Sequence, residues 1–123
     1  MWELNNDRAI YAQLVEMIQT DIVSGKYSPG DKLPSVRDLA AQAQVNPNTM
    51  QKAFTELERS GLIVTQRTNG RSVTQDPDLI QAIRTQMAKE QLGNFCQTMS
   101  KLGYSEGEIL TLVSSSGERA ALV

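Results

Sequence analysis

The chain has 123 residues, of which 40% are hydrophobic and 5% aromatic, and its formal net charge at pH 7 is −2. This length suits one modest domain with an appended segment, because the core that such a chain can bury is limited. No stretch approaches the roughly 18 consecutive apolar residues of a membrane span, and the N-terminus lacks the apolar run of a signal peptide, so we expect a cytoplasmic protein with no membrane partner.

The first predicted helix runs from residue 9 to about residue 24, and Gly25 is expected to close it. Its apolar residues recur at helical spacing, which predicts one buried face. They are Ile10, Tyr11, Leu14, Val15, Ile18 and Ile22. We expect this helix to carry much of the core. Trp2 and Leu4, in the extended segment before it, are expected to anchor that segment by packing.

A short second helix is predicted after Leu33-Pro34, with Ser35 as its N-cap. The serine hydroxyl can accept a hydrogen bond from the first turn, and Asp38 adds negative charge near the positive end of the helix dipole. The apolar stripe consists of Val36, Leu39, Ala40 and Ala43. This spacing predicts a helix that packs one side against the core.

The third predicted helix runs from residue 47 to about residue 60, with Asn46 as its N-cap and Pro47 at a position where no helical donor is lost. Gly61 ends it. Its apolar side consists of Met50, Ala53, Phe54 and Leu57. Its opposite, polar side consists of Asn48, Lys52, Thr55 and Arg59, with Thr49 and Gln51 on the flanks. The pattern predicts a helix held along one face and open on the other.

Two β-favouring segments, residues 62–65 and 72–74, are predicted to pair as an antiparallel hairpin, and Asn69-Gly70 is the turn signal between them. Arg67 and Arg71 place positive charge near its tip. Helix, turn, helix and hairpin in this order are the layout of a winged helix-turn-helix. We therefore predict a mainly α fold with a small β-hairpin, in which this head is followed by a short C-terminal helical segment.

The C-terminal segment, residues 76–123, is predicted to form a second domain after the head of residues 1–75. Asp76 and Pro77 supply an N-cap and a first helical residue for a long helix. Gly93 lies between two apolar runs of that helix and costs about 1 kcal/mol relative to alanine, which favours a kink or break there.

Ser105 and Glu108 form a capping box for a last helix, whose pattern is expected to break at residues 114–117. The apolar side chains of the C-terminal helices are too extensive to leave in water and too few to form a core alone, so we expect them to form a homodimer interface. A helical cap on a monomer is the alternative. The expected dimerisation residues are Leu79, Ile83, Met87, Leu92, Phe95, Met99, Leu102, Ile109, Leu112 and Val113.

The polar side of the third helix suits the major groove of double-stranded DNA, where amide, ammonium and hydroxyl groups can bond to base edges. The predicted base contacts are Asn48, Thr49, Gln51 and Lys52. Helix N-termini and nearby arginines hold phosphates, and the residues assigned to that role are Ser35, Arg37 and Asn46. The predicted wing contacts are Arg67, Asn69, Gly70 and Arg71. For either helix alone, an ordinary solvated polar face is the alternative.

The segment from residue 10 to residue 74 closely resembles the DNA-binding head of GntR-type bacterial transcription regulators. Residues 29–40, PGDKLPSVRDLA, look like that family's first signature. Residues 45–53, VNPNTMQKA, followed by Leu57-Glu58 and Gly61-Leu62-Ile63, look like the version found in its small YtrA-type branch. The resemblance implies a homodimer and implies DNA contacts from Arg37, Asn46, Asn48, Thr49, Gln51 and Gly70.

The wing departs from the family pattern. The family usually has glycine where Thr68 stands and Gly-Thr-Phe where Gly70-Arg71-Ser72 stands. The wing is therefore the part of the head to which the resemblance extends least. Compact members of the family often neighbour genes for membrane transporters, which suggests control of an export or stress operon.

These observations predict a sequence-specific DNA-binding transcription regulator, a repressor that occupies an inverted-repeat operator as a homodimer. With no histidine and one cysteine, the chain lacks the commonest general base and cannot build a structural zinc site, so we expect neither an enzyme nor a metal or other cofactor. Between residues 34 and 75, five basic residues oppose three acidic ones, and the acidic residues Glu56 and Glu58 are expected on a solvated helix surface.

Two other functions are compatible with the pattern. The negative net charge and the altered wing favour a winged-helix protein-interaction module without DNA affinity. The chain could also be the head of a larger regulator–enzyme protein, although the separately capped C-terminal helices favour a complete small protein. A small-molecule effector, whose identity the sequence does not reveal, would lie at the dimer interface or between the head and the C-terminal helices.

Overall fold

The computed structural model describes residues 2–68 and 70–120, with side chains described up to residue 115. Its elements are α1 (Ile10–Val23), α2 (Val36–Ala43), α3 (Pro47–Arg59), β1 (Ile63–Gln66), β2 (Gly70–Val73), α4 (Pro77–Lys101) and α5 (Glu106–Ala120). Over these residues, the helices and the antiparallel hairpin confirm the predicted mainly α winged helix-turn-helix fold. None of the described helices combines the length and the apolar character needed to cross a bilayer.

Side-chain caps start both helices of the helix-turn-helix where the sequence predicts them. The Ser35 hydroxyl accepts a hydrogen bond from the Asp38 amide at 3.1 Å, and the Asn46 side-chain oxygen accepts one from the Asn48 amide at 2.8 Å. Each bond satisfies a donor that has no partner inside its helix. Between the two helices Gln44 adopts the left-handed conformation, with a φ of 57°, and ends α2.

A single hydrophobic core joins the first three helices to the hairpin. Its residues are at most 8% exposed and are Leu14, Ile18, Ile22, Leu33, Leu39, Ala40, Ala43, Met50, Ala53, Phe54, Leu57, Leu62, Ile63 and Val73. Trp2 and Leu4 are half-buried against this core, as predicted. Ile80 and Ile83 of α4 are half-buried against the same core. Because the apolar side of α3 is buried here, its polar side faces outward.

The register of the hairpin assigns Gly70 to a strand. Gln66 pairs with Gly70, and Asn69, the other residue of the predicted turn signal, lies outside the described residues. Gly70 has a φ of 75°, a conformation that residues with a Cβ rarely adopt. The glycine of the predicted turn signal is therefore required at the first position of β2.

The segment before α2 pairs with β2 and fixes the position of the hairpin, which we call the wing. The Leu33 amide donates a hydrogen bond to the Arg71 carbonyl, and the Val73 amide donates one to the Asp31 carbonyl, both at 2.9 Å. Two residues after Leu33, Ser35 caps α2. These bonds therefore hold the wing beside the N-terminus of α2.

The C-terminal helices start at the predicted caps. The Asp76 side chain accepts hydrogen bonds from the amides of Asp78 and Leu79 at 3.0 and 3.3 Å. In the capping box, the Glu108 amide donates to the Ser105 hydroxyl at 3.2 Å and the Ser105 amide donates to the Glu108 carboxylate at 3.0 Å. Both predicted helix starts are confirmed.

A break at Gly93 and the predicted break of the last helix at residues 114–117 are both wrong. α4 passes through Gly93 without a break, and α5 continues through residues 114–117. A single glycine costs about 1 kcal/mol in a helix, which the neighbouring helix-forming residues outweigh. The chain divides into two compact units between Arg84 and Thr85, and the predicted domain boundary after residue 75 stays a prediction.

Candidate nucleic-acid interface

The outward side of α3 is a continuous polar face. Its exposed side chains are Asn48, Gln51, Lys52, Thr55 and Arg59, and Thr49 beside them is half-buried. Directly behind this face, Met50 and Phe54 are fully buried, so the helix cannot turn the polar groups inward without exposing its core side. Of the four residues predicted to contact bases, Asn48, Gln51 and Lys52 are exposed on this face, and Thr49 lies half-buried at its edge.

Lys52 is held in place by the first helix. Its ammonium nitrogen lies 3.8 Å from the centre of the Tyr11 ring, which is the geometry of a cation–π interaction. Tyr11 is half-buried in α1, and the sequence assigns it only to the apolar stripe of that helix. The contact of Tyr11 with Lys52 depends on how α1 packs against α3, and the local sequence pattern does not specify that packing.

A cleft of about 250 Å³ lies where the wing meets the N-terminus of α2. Its lining includes Lys32, Ser35, Gly70 and Arg71. Side-chain cations and the free N–H groups of a helix N-terminus both favour an anion, so the cleft is suited to a phosphate group. Lys32 is absent from the predicted contacts, although it lies in the segment of residues 29–40 and three residues before the N-cap.

The remaining phosphate and wing residues are accessible to different degrees. Arg37, in the first turn of α2, and Asn46, at the start of α3, are exposed. Arg67 is exposed beside the tip of the wing, whereas Arg71 is half-buried. The predicted wing contact at Asn69 lies outside the described residues.

Glu58 connects the wing to α3. Its carboxylate accepts a hydrogen bond from the Thr65 hydroxyl at 2.6 Å and another from Arg71 Nε at 2.9 Å. The Thr65 bond and then the Arg71 bond and charge lower the pKa of Glu58, although burial opposes them. The Arg71 guanidinium carbon also lies 5.3 Å from the centre of the Phe54 ring. The sequence analysis predicts Glu58 on a solvated helix surface. This prediction is wrong, because the Glu58 carboxylate is bonded to both strands of the wing.

The predicted dimerisation residues differ in their exposure. Leu92, Phe95, Leu102, Leu112 and Val113 are 38% to 67% exposed. Leu79, Met87 and Met99 are half-buried. Ile83 packs against the core of the head, and Ile109 is only 7% exposed. An exposed apolar group therefore remains on the C-terminal helices, and it is smaller than the predicted set.

Comparisons with known proteins match the chain to regulators. Residues 10–73 match the family of bacterial regulatory proteins called the gntR family. The HTH-type transcriptional repressor YtrA of Bacillus subtilis (strain 168) is 44% identical over 85 residues, which are 68% of this chain and 65% of YtrA.

Solved structures show the same relationship. A GntR family transcriptional regulator from Listeria monocytogenes is 41% identical and superposes with a TM-score of 0.84, covering 91% of this chain and 98% of that one. AraR(DBD) in complex with operator ORX1 is 28% identical, with a TM-score of 0.53, and covers 58% of this chain and 93% of that one.

Proposed function

Because the chain belongs to the gntR family of bacterial regulatory proteins and is a DNA-binding transcriptional regulator of that family, we propose that it is a repressor that binds an inverted-repeat operator as a homodimer. The observation that carries the proposal is the exposed polar face of α3, backed by fully buried Met50 and Phe54. A helix with this cross-section can enter the major groove while its other side stays in the core.

Each element has its own role in the proposed complex. The base-reading groups on α3 are Asn48, Thr49, Gln51 and Lys52. The phosphate-binding groups are Ser35, Arg37 and Asn46, together with Lys32 in the cleft beside the wing. The wing contributes Arg67, Asn69, Gly70 and Arg71. Phosphate contacts set the register of the protein on the duplex, and base contacts select the sequence.

The homodimer is supported by the exposed apolar side chains of the C-terminal helices, among them Leu92 and Phe95. A second copy would bury them, and two copies related by a two-fold axis match two half-sites about 34 Å apart. We place the protein in the cytoplasm, where bacterial DNA is accessible to it. Repression is supported by the relative YtrA of Bacillus subtilis, which is a transcriptional repressor, and occupancy of the promoter is the mechanism that we propose for it.

A titration with two kinds of DNA tests the proposal. Genomic fragments retained by the full-length protein are sequenced, and fluorescence anisotropy then compares the best retained duplex with a random duplex at several salt concentrations. We expect a preference of at least about a thousandfold for the retained duplex and affinity that falls with salt, because each neutralised phosphate releases counterions. Absence of binding to both duplexes would favour the protein-interaction module, which the net charge of −2 supports.

A further inference from the structure

Arg71, one of the two arginines of the wing, is turned toward the protein. Arg71 Nε donates a hydrogen bond of 2.9 Å to Glu58, and its guanidinium lies over the ring of fully buried Phe54. The Arg71 side chain is 27% exposed and that of Glu58 is 31% exposed. An ion pair that is about two-thirds covered is screened less by water than a surface pair, so it can hold a fixed geometry.

The same carboxylate binds both strands of the wing. Its second oxygen accepts a hydrogen bond of 2.6 Å from Thr65 in β1, and Thr65 pairs directly with Arg71 in β2. A two-stranded hairpin is marginally stable alone and needs packing against another element. Glu58 supplies such a connection from the C-terminal half of α3.

We propose that Glu58 is a positioning residue that holds the wing against α3 through Thr65 and Arg71, so that the wing is already oriented before DNA binds. The inference rests on the proposed function and refines its wing contacts: Arg71 serves mainly as the partner of Glu58 and not as a phosphate contact, whereas Arg67 and Lys32 are exposed and serve the phosphate backbone.

The direction in which Glu58→Ala changes the affinity for DNA distinguishes the positioning role from a purely electrostatic effect. Glu58→Ala removes a negative charge close to the proposed DNA surface, and charge alone would tighten binding to every duplex. The positioning role has the opposite consequence for the retained duplex, because a loosened wing must be ordered on binding. We expect Glu58→Ala to bind the retained duplex roughly threefold to tenfold more weakly than the parent protein does.

Glu56→Ala is the matched control. Glu56 lies two residues earlier on α3 and pairs with Arg59 at 2.6 Å, with no bond to the wing among the described contacts. It loses the same charge, so we expect unchanged or tighter binding to both duplexes. If Glu58→Ala behaves like Glu56→Ala, the positioning role is wrong.

Arg71→Gln and the double variant Glu58→Ala/Arg71→Gln test the pair. We expect Arg71→Gln to weaken binding without changing the salt dependence, and the double variant to lose no more than the larger single loss. An Arg71 that neutralises a phosphate would instead lower the slope of log affinity against log salt by about one. A reduced salt slope for Arg71→Gln, together with a loss of binding free energy in the double variant equal to the sum of the two single losses, would overturn the inference.

Amide hydrogen exchange without DNA separates this inference from the proposed function. Glu58→Ala should speed exchange in β1 and β2 while α1, which carries part of the core, stays protected. Equal exchange in the wing of both proteins would refute the positioning role even if the parent protein binds DNA. If the parent protein binds no duplex, the proposed function fails, and the exchange measurement still decides whether Glu58 holds the wing.

Discussion

The ammonium of Lys52 lies 3.8 Å from the centre of the Tyr11 ring, so a polar side chain on the outward face of α3 is held by α1. A cation over an aromatic ring contributes about 0.5–1 kcal/mol at an exposed site. The contact also limits the rotamers of a long, flexible side chain before it meets DNA.

A double-mutant cycle should detect this contact. Tyr11→Leu keeps an apolar side chain but removes the ring, and Lys52→Met removes the charge. We expect a coupling free energy of about 0.5–1 kcal/mol between the two changes in chemical denaturation. Tyr11→Phe, which keeps the ring face, should retain the coupling, and strictly additive losses would show that the contact contributes nothing.

Base and phosphate contacts should respond differently to truncation. Gln51→Ala and Asn48→Ala should each change the preferred sequence, with discrimination of about 1–3 kcal/mol lost at the contacted base pair. Arg37→Ala should weaken binding to all duplexes and reduce the salt slope by about one. Selection from randomised duplexes, combined with salt titrations, measures both effects. Unchanged affinity and specificity in all three variants would remove the site assignment.

Replacing Gly61 and Gly93 by alanine should change the stability of the protein in opposite directions. Gly61 has a φ of 83°, and a Cβ there would lie 3.2 Å from Leu79 Cδ2, so Gly61→Ala should destabilise the protein by about 1–2 kcal/mol. Gly93 lies inside α4 with open space where a Cβ would be, so Gly93→Ala should stabilise it by up to about 1 kcal/mol. Thermal unfolding of the two variants tests the contrast, and a loss of stability in Gly93→Ala would contradict it.

Stability should fall in acid partly through two glutamates. Hydrogen bonds from Thr65 and Arg71 lower the pKa of Glu58 below its ordinary 4.5, and a hydrogen bond from Arg8 does the same for Glu16. A lowered folded pKa gives stability that is present above pH 4.5 and lost as the pH falls through the folded value. Glu58→Ala and Glu16→Ala should therefore each make the decline below pH 4.5 shallower in urea unfolding, and an unchanged decline in both would be contrary to this account.

Dimer formation should depend on exposed apolar residues of α4. Phe95→Glu would place a charge in the proposed interface, where an unpaired charge is costly, so it should yield monomers at micromolar concentration. Val64→Glu is a matched control, because Val64 is 45% exposed and Phe95 is 44% exposed. Light scattering should give twice the mass of one chain for the parent protein and for Val64→Glu. A monomeric parent protein would remove the dimer from the proposal.

Much of the fold follows from local sequence. The caps at Ser35, Asn46 and Asp76 and the capping box at Ser105 form as predicted, because a cap is a contact between residues two or three positions apart. The apolar periodicity of α3 likewise placed its polar residues on one outward face. The predicted breaks in α4 and α5 failed because helix termination depends on a sum over many residues and not on one weak helix former.

The sequence by itself determined which helices form, which face of each is apolar, and that α3 offers a polar surface of the kind that reads DNA. Only the tertiary structure decided the contacts made by Tyr11, Lys32 and Glu58. The partners of Glu58 lie 7 and 13 positions away, the partner of Tyr11 lies 41 positions away, and Lys32 lines one cleft with Arg71, which is 39 positions away. Residues so far apart in the sequence come together only when the core packs. A hydropathy pattern does not show which surface side chains are then in contact.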